Sequence, residues 1–225
     1  VAEDRLFEKI RSEVAADLEP VRPLGPPWKR AIILLPIWLL LVGMVLAIFG
    51  LRRDYDALGP WVLWNLTLLQ ALAAYAAVAS AVRLAVPGSL IPESILALVA
   101  LAASAIHWVN SGIMFHLSPT HVEPGREWTL ALICFAVELC LGLIPLTVIL
   151  SLARRGLPLR PVALGLVAGF GSGLTAEAAW RIHCPFNSWD HILISHSSAI
   201  LATAVLGGLL GYLWKRHELR RIVNP

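Results

Sequence analysis

The sequence predicts an all-α membrane protein: six transmembrane helices with both termini on the cytoplasmic side, preceded by a short amphipathic N-terminal helix. Three observations carry that fold class. Of 225 residues, 58% are hydrophobic and 15% charged, against about 45–50% apolar and about 25% charged in soluble domains, which excludes an ordinary soluble enzyme. The apolar residues gather in six stretches that each approach the roughly 20 residues needed to cross a bilayer core about 30 Å thick. Lysine and arginine fall unevenly across the joints between these stretches.

The chain divides into an arm with its linker (residues 1–30), a transmembrane region (residues 31–214) and a basic tail (residues 215–225). In the arm, residues 3–18 read as an amphipathic helix, because Leu6, Phe7, Ile10, Val14 and Leu18 recur at helical spacing while Asp4, Glu8, Lys9, Arg11 and Asp17 lie elsewhere on the circumference. A helix this short is marginal alone in water. Its apolar stripe therefore needs a surface, either a partner's groove or the membrane interface, and the mixed charges favour a protein partner over a lipid face. Charges alternate with isolated apolar residues here, unlike a signal peptide, so the segment is expected to stay with the protein. The stretch Glu19-Pro20-Val21-Arg22-Pro23-Leu24-Gly25-Pro26-Pro27 is an extended, stiff linker.

The six spans are placed at residues 31–51, 61–82, 91–115, 129–152, 159–181 and 191–214. Gly59-Pro60, Pro87-Gly88, Pro119 with Pro124-Gly125, Gly156-Leu157-Pro158 and Pro185 punctuate the joints. Cytoplasmic segments retain an excess of Lys and Arg. Fourteen of the 18 fall on one side: Arg5, Lys9, Arg11, Arg22, Lys29, Arg30, Arg83, Arg154, Arg155, Arg160, Lys215, Arg216, Arg220 and Arg221. Arg52, Arg53, Arg126 and Arg181 fall on the other. Gly165, Gly169 and Gly173 in the fifth span and Gly207 and Gly211 in the sixth have the spacing that lets helix backbones approach closely, so these two spans are expected to form a tight hairpin. The run Gly169-Phe170-Gly171-Ser172-Gly173 follows no strand and is read as helix packing rather than a phosphate loop. Pro145 is expected to kink the fourth span.

The residues suited to chemistry collect at the outer end. His107, His116, His121, His183, His191 and His196 all fall there, and only His217 is cytoplasmic. Cys184 lies in the loop before the last span, and Cys134 enters the fourth span near its outer surface, with Cys140 deeper and on a different face. Thiolate and imidazole suit soft and borderline metals, and an oxidising compartment permits a reversible disulfide. The plainer reading treats each buried cysteine as a small hydrophobe, since no CxxC or HxxxH spacing is present. Glu138 lies one turn from Cys134 on the same face. Glu177 lies about two turns before Cys184, and either acid within a span is a functional candidate. Alternatively Glu177 pairs with Arg181 at i, i+4. Hydrolase elbows, HExxH, Walker and CxxCH motifs are missing, as is the paired broken-helix pattern of many transporters.

Several fragments together resemble a known family. They are Ala16-Asp17-Leu18-Glu19-Pro20-Val21-Arg22-Pro23-Leu24 with Pro27-Trp28, Gly50-Leu51-Arg52-Arg53-Asp54, Ala85-Val86-Pro87-Gly88, Arg154-Arg155-Gly156, and His183-Cys184-Pro185 with His191 and His196. Their order and spacing resemble the NrsF-like bacterial inner-membrane anti-sigma factors over nearly the whole chain. Arg83-Leu84-Ala85 departs from the pattern, which usually carries an acidic residue there. The resemblance implies a non-enzymatic regulator whose cytoplasmic N-terminus, here Leu6, Phe7, Ile10, Val14 and Leu18, holds an extracytoplasmic-function sigma factor until a periplasmic metal or oxidative stress arrives. It implies two sensing cysteines. Cys184 matches one through its His-Cys-Pro context, and Cys134 is the choice for the other, with Cys140 as the alternative; His183, His191 and His196 stand beside them. The expected partners are that sigma factor and the bilayer, with no direct nucleic-acid binding. No cofactor is obligatory, and a transient heavy-metal ion is expected at Cys134, Cys184, His183 and His191, in place of or alongside a disulfide. The competing classes are a membrane redox or metal-handling protein using the same Cys/His group, and a small transporter.

Overall fold

The structure, a computed structural model, describes residues 7, 8, 11–13, 15, 25–86, 91–118, 125–156 and 158–223. Six helices are long and apolar enough to cross a membrane: α1 (Pro27–Phe49), α2 (Pro60–Leu84), α3 (Glu93–Leu117), α4 (Glu127–Gly156), α5 (Pro161–Trp180) and α6 (Trp189–Glu218). The described residues contain no strand. The expected spans and the observed helices coincide within several residues at each end.

Local chemistry explains the interruptions. In α1 the helix breaks between Ala31 and Leu34, because Pro36 has no N–H to give the carbonyl of Ile32 four residues back; the Leu35 N–H bonds to that carbonyl instead, at 2.9 Å. A single helical turn at Tyr55–Leu58 ends where Gly59 takes a φ of 75° and gives its N–H to the Tyr55 carbonyl, a conformation that glycine adopts without strain. Pro60 then opens α2 and Pro161 opens α5, where a missing N–H costs nothing. Helix α4 runs through Pro145, and the last helix continues to Val223, so part of the segment read as a tail extends α6.

Helix α5 is the hub, with 72% of its apolar stretch buried against 22% for α1 and α3, and it packs on α1, α2, α4 and α6. The glycines make this possible. A Cβ on Gly165 would stand 2.0 Å from the Gly207 carbonyl oxygen, one on Gly169 2.2 Å from that of Thr203, and one on Gly211 2.1 Å from that of Pro161. The α5–α6 hairpin is thus a backbone-to-backbone contact, as its spacing predicts. Within the Gly169–Gly173 run, Gly171 turns the other way, and its Cβ would meet Val78 and Ala74 of α2. The run packs three helices together.

At the start of α6 the helix is not regular. A turn at Trp189–His191 leads into a π-helical stretch, Ile192–Ser197, before the α-helix resumes at Ser198–Val223. Of the arm, Phe7 is 70% exposed; Leu6, Ile10, Val14 and Leu18 lie outside the described residues, as does His121.

Candidate functional site

The end of the bundle that carries Cys184 is built on a buried arginine. Arg52, 2% exposed, donates from Nε to Asp54 Oδ1 at 2.6 Å and from Nη2 to Asp54 Oδ2 at 2.8 Å. It also donates to the Arg181 carbonyl at 3.1 Å and to Asn187 Oδ1 at 3.2 Å. Asn187 Nδ2 in turn donates to the Ser118 carbonyl at 2.7 Å. The clamp fixes the joint after α1, the end of α3 and the α5–α6 loop to one another. Burial pushes the Asp54 carboxyl up, but its hydrogen bonds to Arg52 and that residue's charge outweigh burial and hold it below the usual range.

The clamped loop delivers Cys184. Its Sγ stands 3.9 Å from Sγ of Cys134 on α4 and 3.5 Å from Nε2 of His191 at the start of α6. All three are buried, with ligand atoms within 4.8 Å of one another. Two thiolates on one tetrahedral ion with bonds of about 2.3 Å stand about 3.8 Å apart, and a thiolate and an imidazole nitrogen about 3.6 Å apart. The two separations at Cys184, 3.9 Å and 3.5 Å, match those values. A disulfide would require the sulfurs to close to about 2.05 Å, and the cysteines are free. The contact with Cys134, reinforced by burial, pushes the Cys184 thiol up.

One turn deeper lies a second group. Glu138 on α4, Glu177 on α5 and His196 on α6 converge, with His196 Nδ1 at 2.8 Å from Glu138 Oε2 and 2.8 Å from Glu177 Oε2. Glu177 Oε1 also pairs with Arg181, and His107 Nδ1 of α3 lies 3.6 Å from the same oxygen. Both readings of Glu177 therefore describe it: the i, i+4 ion pair exists, and the carboxylate also joins a polar cluster. A cavity of about 420 Å³ lined by Glu127, Trp128, Ala131, Ser188, Asp190, His191 and Ile194 opens beside His191. Its two carboxylates favour cations at the mouth.

Of the expected sensing residues, Cys134, Cys184 and His191 come together. His196 belongs to the deeper group, although its ring lies 5.3 Å from that of His191. His183 is not brought into the cysteine group: its Nδ1 faces the Gly50 carbonyl at 3.1 Å, and its ring packs on Trp180 and Phe49. Cys140 is exposed on the outside of the bundle, as its six-residue offset from Cys134 requires. Sequence reasoning missed Arg52 and Asn187, whose only local signal is the Arg52-Arg53-Asp54 string, and it did not foresee that Glu138 and Glu177 share His196.

Compared with protein families, the chain matches NrsF, described as negative regulator of sigma F, over residues 14–217. No curated protein and no solved structure matches it.

Proposed function

The chain belongs to the NrsF family of negative regulators of a sigma factor, and on that premise we propose that it is an anti-sigma factor. In this reading it holds an extracytoplasmic-function sigma factor at the bacterial inner membrane through its N-terminal arm, and releases it when a soft metal or an oxidant reaches Cys134, Cys184 and His191. The observation that carries the sensing part is the spacing of those three ligand atoms, 3.9 Å and 3.5 Å, which suits a shared soft cation better than a preformed disulfide.

Orientation with both termini in the cytoplasm is supported by the arginines. Two of the four assigned to the outer side, Arg52 and Arg181, are buried among hydrogen-bond partners, so they do not act as loop charges. Arg53 and Arg126 alone remain exposed there, which steepens the asymmetry that positive-inside retention needs.

The arrangement also offers a way for the signal to travel. Cys134 sits on α4 and Cys184 in the loop of the α5–α6 hairpin, so an ion between them ties one helix to two others. Next to Cys184, His183 and Ile182 hold the end of α1 through Gly50 and Arg52, and α1 leads back to the arm. Because a ligand shifts an equilibrium only by its differential affinity, the holding state must have a looser thiol site than the releasing state.

The test uses the full-length protein in membranes with its sigma factor. The sigma factor co-purifies with the parent, with Cys134→Ser and with Cys184→Ser. Cadmium is expected to release it from the parent and from Cys140→Ser, but not from Cys184→Ser and less from Cys134→Ser than from the parent. Release from both serine variants at the parent's cadmium concentration would overturn the sensing part; failure of the parent to bind any sigma factor would overturn the whole reading.

A further inference from the structure

The group below the thiols has an imbalance that sensing at the cysteines does not explain. His196 Nδ1 is 2.8 Å from one oxygen of each carboxylate, but a ring nitrogen carries a single hydrogen, and the geometry directs it to Glu177. Glu177 has Arg181 as well. Glu138, 1% exposed, keeps neither oxygen hydrogen-bonded. It sits inside α4, where a carboxylate whose one close partner is an imidazole shared with a second acid is costly. The Nδ1 atom of His107 is likewise buried without a hydrogen bond, and it faces the same group.

We propose that Glu138, Glu177 and His196 form a second cation site, separate from the thiols, which takes a divalent first-row ion of the Zn²⁺ or Mn²⁺ class through Glu138 Oε2, Glu177 Oε2 and His196 Nδ1. The three ligand atoms lie within 4.8 Å of one another. Donors bonded at about 2.1 Å to a tetrahedral ion stand about 3.4 Å apart, so the two short contacts at His196, both 2.8 Å, open by about 0.6 Å on binding. Between two carboxylates the His196 ring is an imidazolium with a hydrogen on each nitrogen; the ion takes the place of the Nδ1 hydrogen, which leaves to water as one proton per ion bound, while the Nε2 hydrogen stays. The two carboxylates face the ion's two charges, Arg181 keeps its bond to the other oxygen of Glu177, and exchanging one proton for one divalent ion raises the net charge of the group by one. His107 Nδ1 is the nearest further donor for a fourth position.

The donor set decides the class of ion. Oxygen and imidazole ligands suit Mn²⁺ and Zn²⁺, whereas thiolates take Zn²⁺ and softer ions, so Mn²⁺ and not Zn²⁺ tells the two groups apart. An ion here also stitches α4, α5 and α6 together directly beneath Cys134 and His191. The site goes beyond the sensing reading and uses none of its cysteines, so the two stand or fall separately.

The experiment takes the full-length protein, metal-free in detergent, and titrates it with Co²⁺ as an optical probe and with Zn²⁺ for stoichiometry. A variant carrying both Cys134→Ser and Cys184→Ser is expected to bind one ion, with ligand-field bands but no thiolate-to-cobalt charge transfer, and to release one proton in weak buffer. Adding Glu138→Gln lowers that affinity at least a hundredfold. With the cysteines intact, Glu138→Gln keeps the charge-transfer band. Pulsed paramagnetic resonance of the Mn²⁺-loaded thiol-free protein shows the nitrogen coupling of a histidine ligand, diminished in His196→Gln and read without altering either glutamate. No ion in the thiol-free protein, affinity unchanged by Glu138→Gln in that background, or no nitrogen coupling would each overturn the site.

Discussion

His191 and His196 are five residues apart, yet their rings meet with centroids 5.3 Å apart. Five residues of regular α-helix turn through about 500°, which would set the two side chains on different faces. The π-helical stretch Ile192–Ser197 widens the turn, and stretches of this kind recur at functional sites. One irregular turn therefore aims two imidazoles of one helix, the first at the thiols and the second at the buried carboxylates.

Removing one residue from that turn tests its purpose. Leu193 faces outward, 56% exposed, and the helix beyond is locked by its glycines against α5. Deleting Leu193 restores the α-helical period and rotates His191 away from Cys184 while His196 stays in place. Cadmium affinity, read by the thiolate-to-cadmium absorption, is expected to fall about tenfold or more, a loss of about 1.4 kcal/mol. An unchanged affinity would remove His191 from the site.

The hairpin glycines give a second prediction, with a control in the same molecule. Gly165→Ala drives a Cβ against the Gly207 carbonyl at 2.0 Å, whereas nothing lies within 4 Å of a Cβ on Gly43. A backbone carbonyl cannot swing aside as a side chain does, so Gly165→Ala is expected to destabilise by about 3 kcal/mol, the upper part of the usual overpacking range. Gly43→Ala, inside α1 with open space at its Cβ, should be neutral or stabilise by up to about 1 kcal/mol. Reversible unfolding in mixed micelles measures both, and equal stabilities would contradict the tight packing.

Much of this fold is legible in the sequence because membrane insertion depends on quantities that sum along the chain. Span positions follow from local hydropathy, and the α5–α6 contact from a four-residue glycine spacing. The sites are less legible because their partners are distant. Arg52 looks like a solvated loop charge until Asn187, 135 positions away, joins it in the core. His183 is the histidine next to Cys184 in the chain, but the turn after α5 points it at Gly50, and the loop and π-turn bring in His191 instead. That Glu138 shares a face with Cys134 could be read from helical spacing; that His196 bridges it to Glu177 depends on three helices and an irregular turn.

The Arg52–Asp54 clamp predicts a pH dependence. Because the folded Asp54 carboxyl is held below its ordinary value, the clamp's contribution is complete above the unfolded value near 3.9. It is lost as pH falls through the folded value. Asp54→Asn removes this part of the acid sensitivity and leaves the buried guanidinium without its counter-charge, at a cost of about 3 kcal/mol at neutral pH. Unfolding midpoints of parent and variant between pH 7 and about pH 3 check both. Parallel curves would mean that Asp54 does not titrate with folding.

The last prediction concerns how α4 reaches the arm. Arg30 Nη2, at the base of the arm, donates to the Leu152 carbonyl at 2.9 Å, and Leu152 lies on the same helix as Cys134, about 27 Å away at 1.5 Å per residue. A continuous helix tied near one end to the thiol site and near the other to Arg30 reports a displacement of Cys134 where the arm begins. Arg30→Ala is therefore expected to leave metal binding and sigma binding intact but to reduce cadmium-driven release about fivefold or more, the low end of ordinary coupling between sites. Replacing Leu6, Phe7, Ile10 and Val14 with Ser has the opposite signature, with the sigma factor free in the absence of metal, because each apolar residue contributes about 1.5–3 kcal/mol when fully buried against a partner. A reporter driven by the sigma factor distinguishes the two: constitutive activity for the stripe variant, a blunted response for Arg30→Ala. A parental response from Arg30→Ala would show that the signal reaches the arm by another route, leaving the Gly50 contacts of His183 as the path to examine.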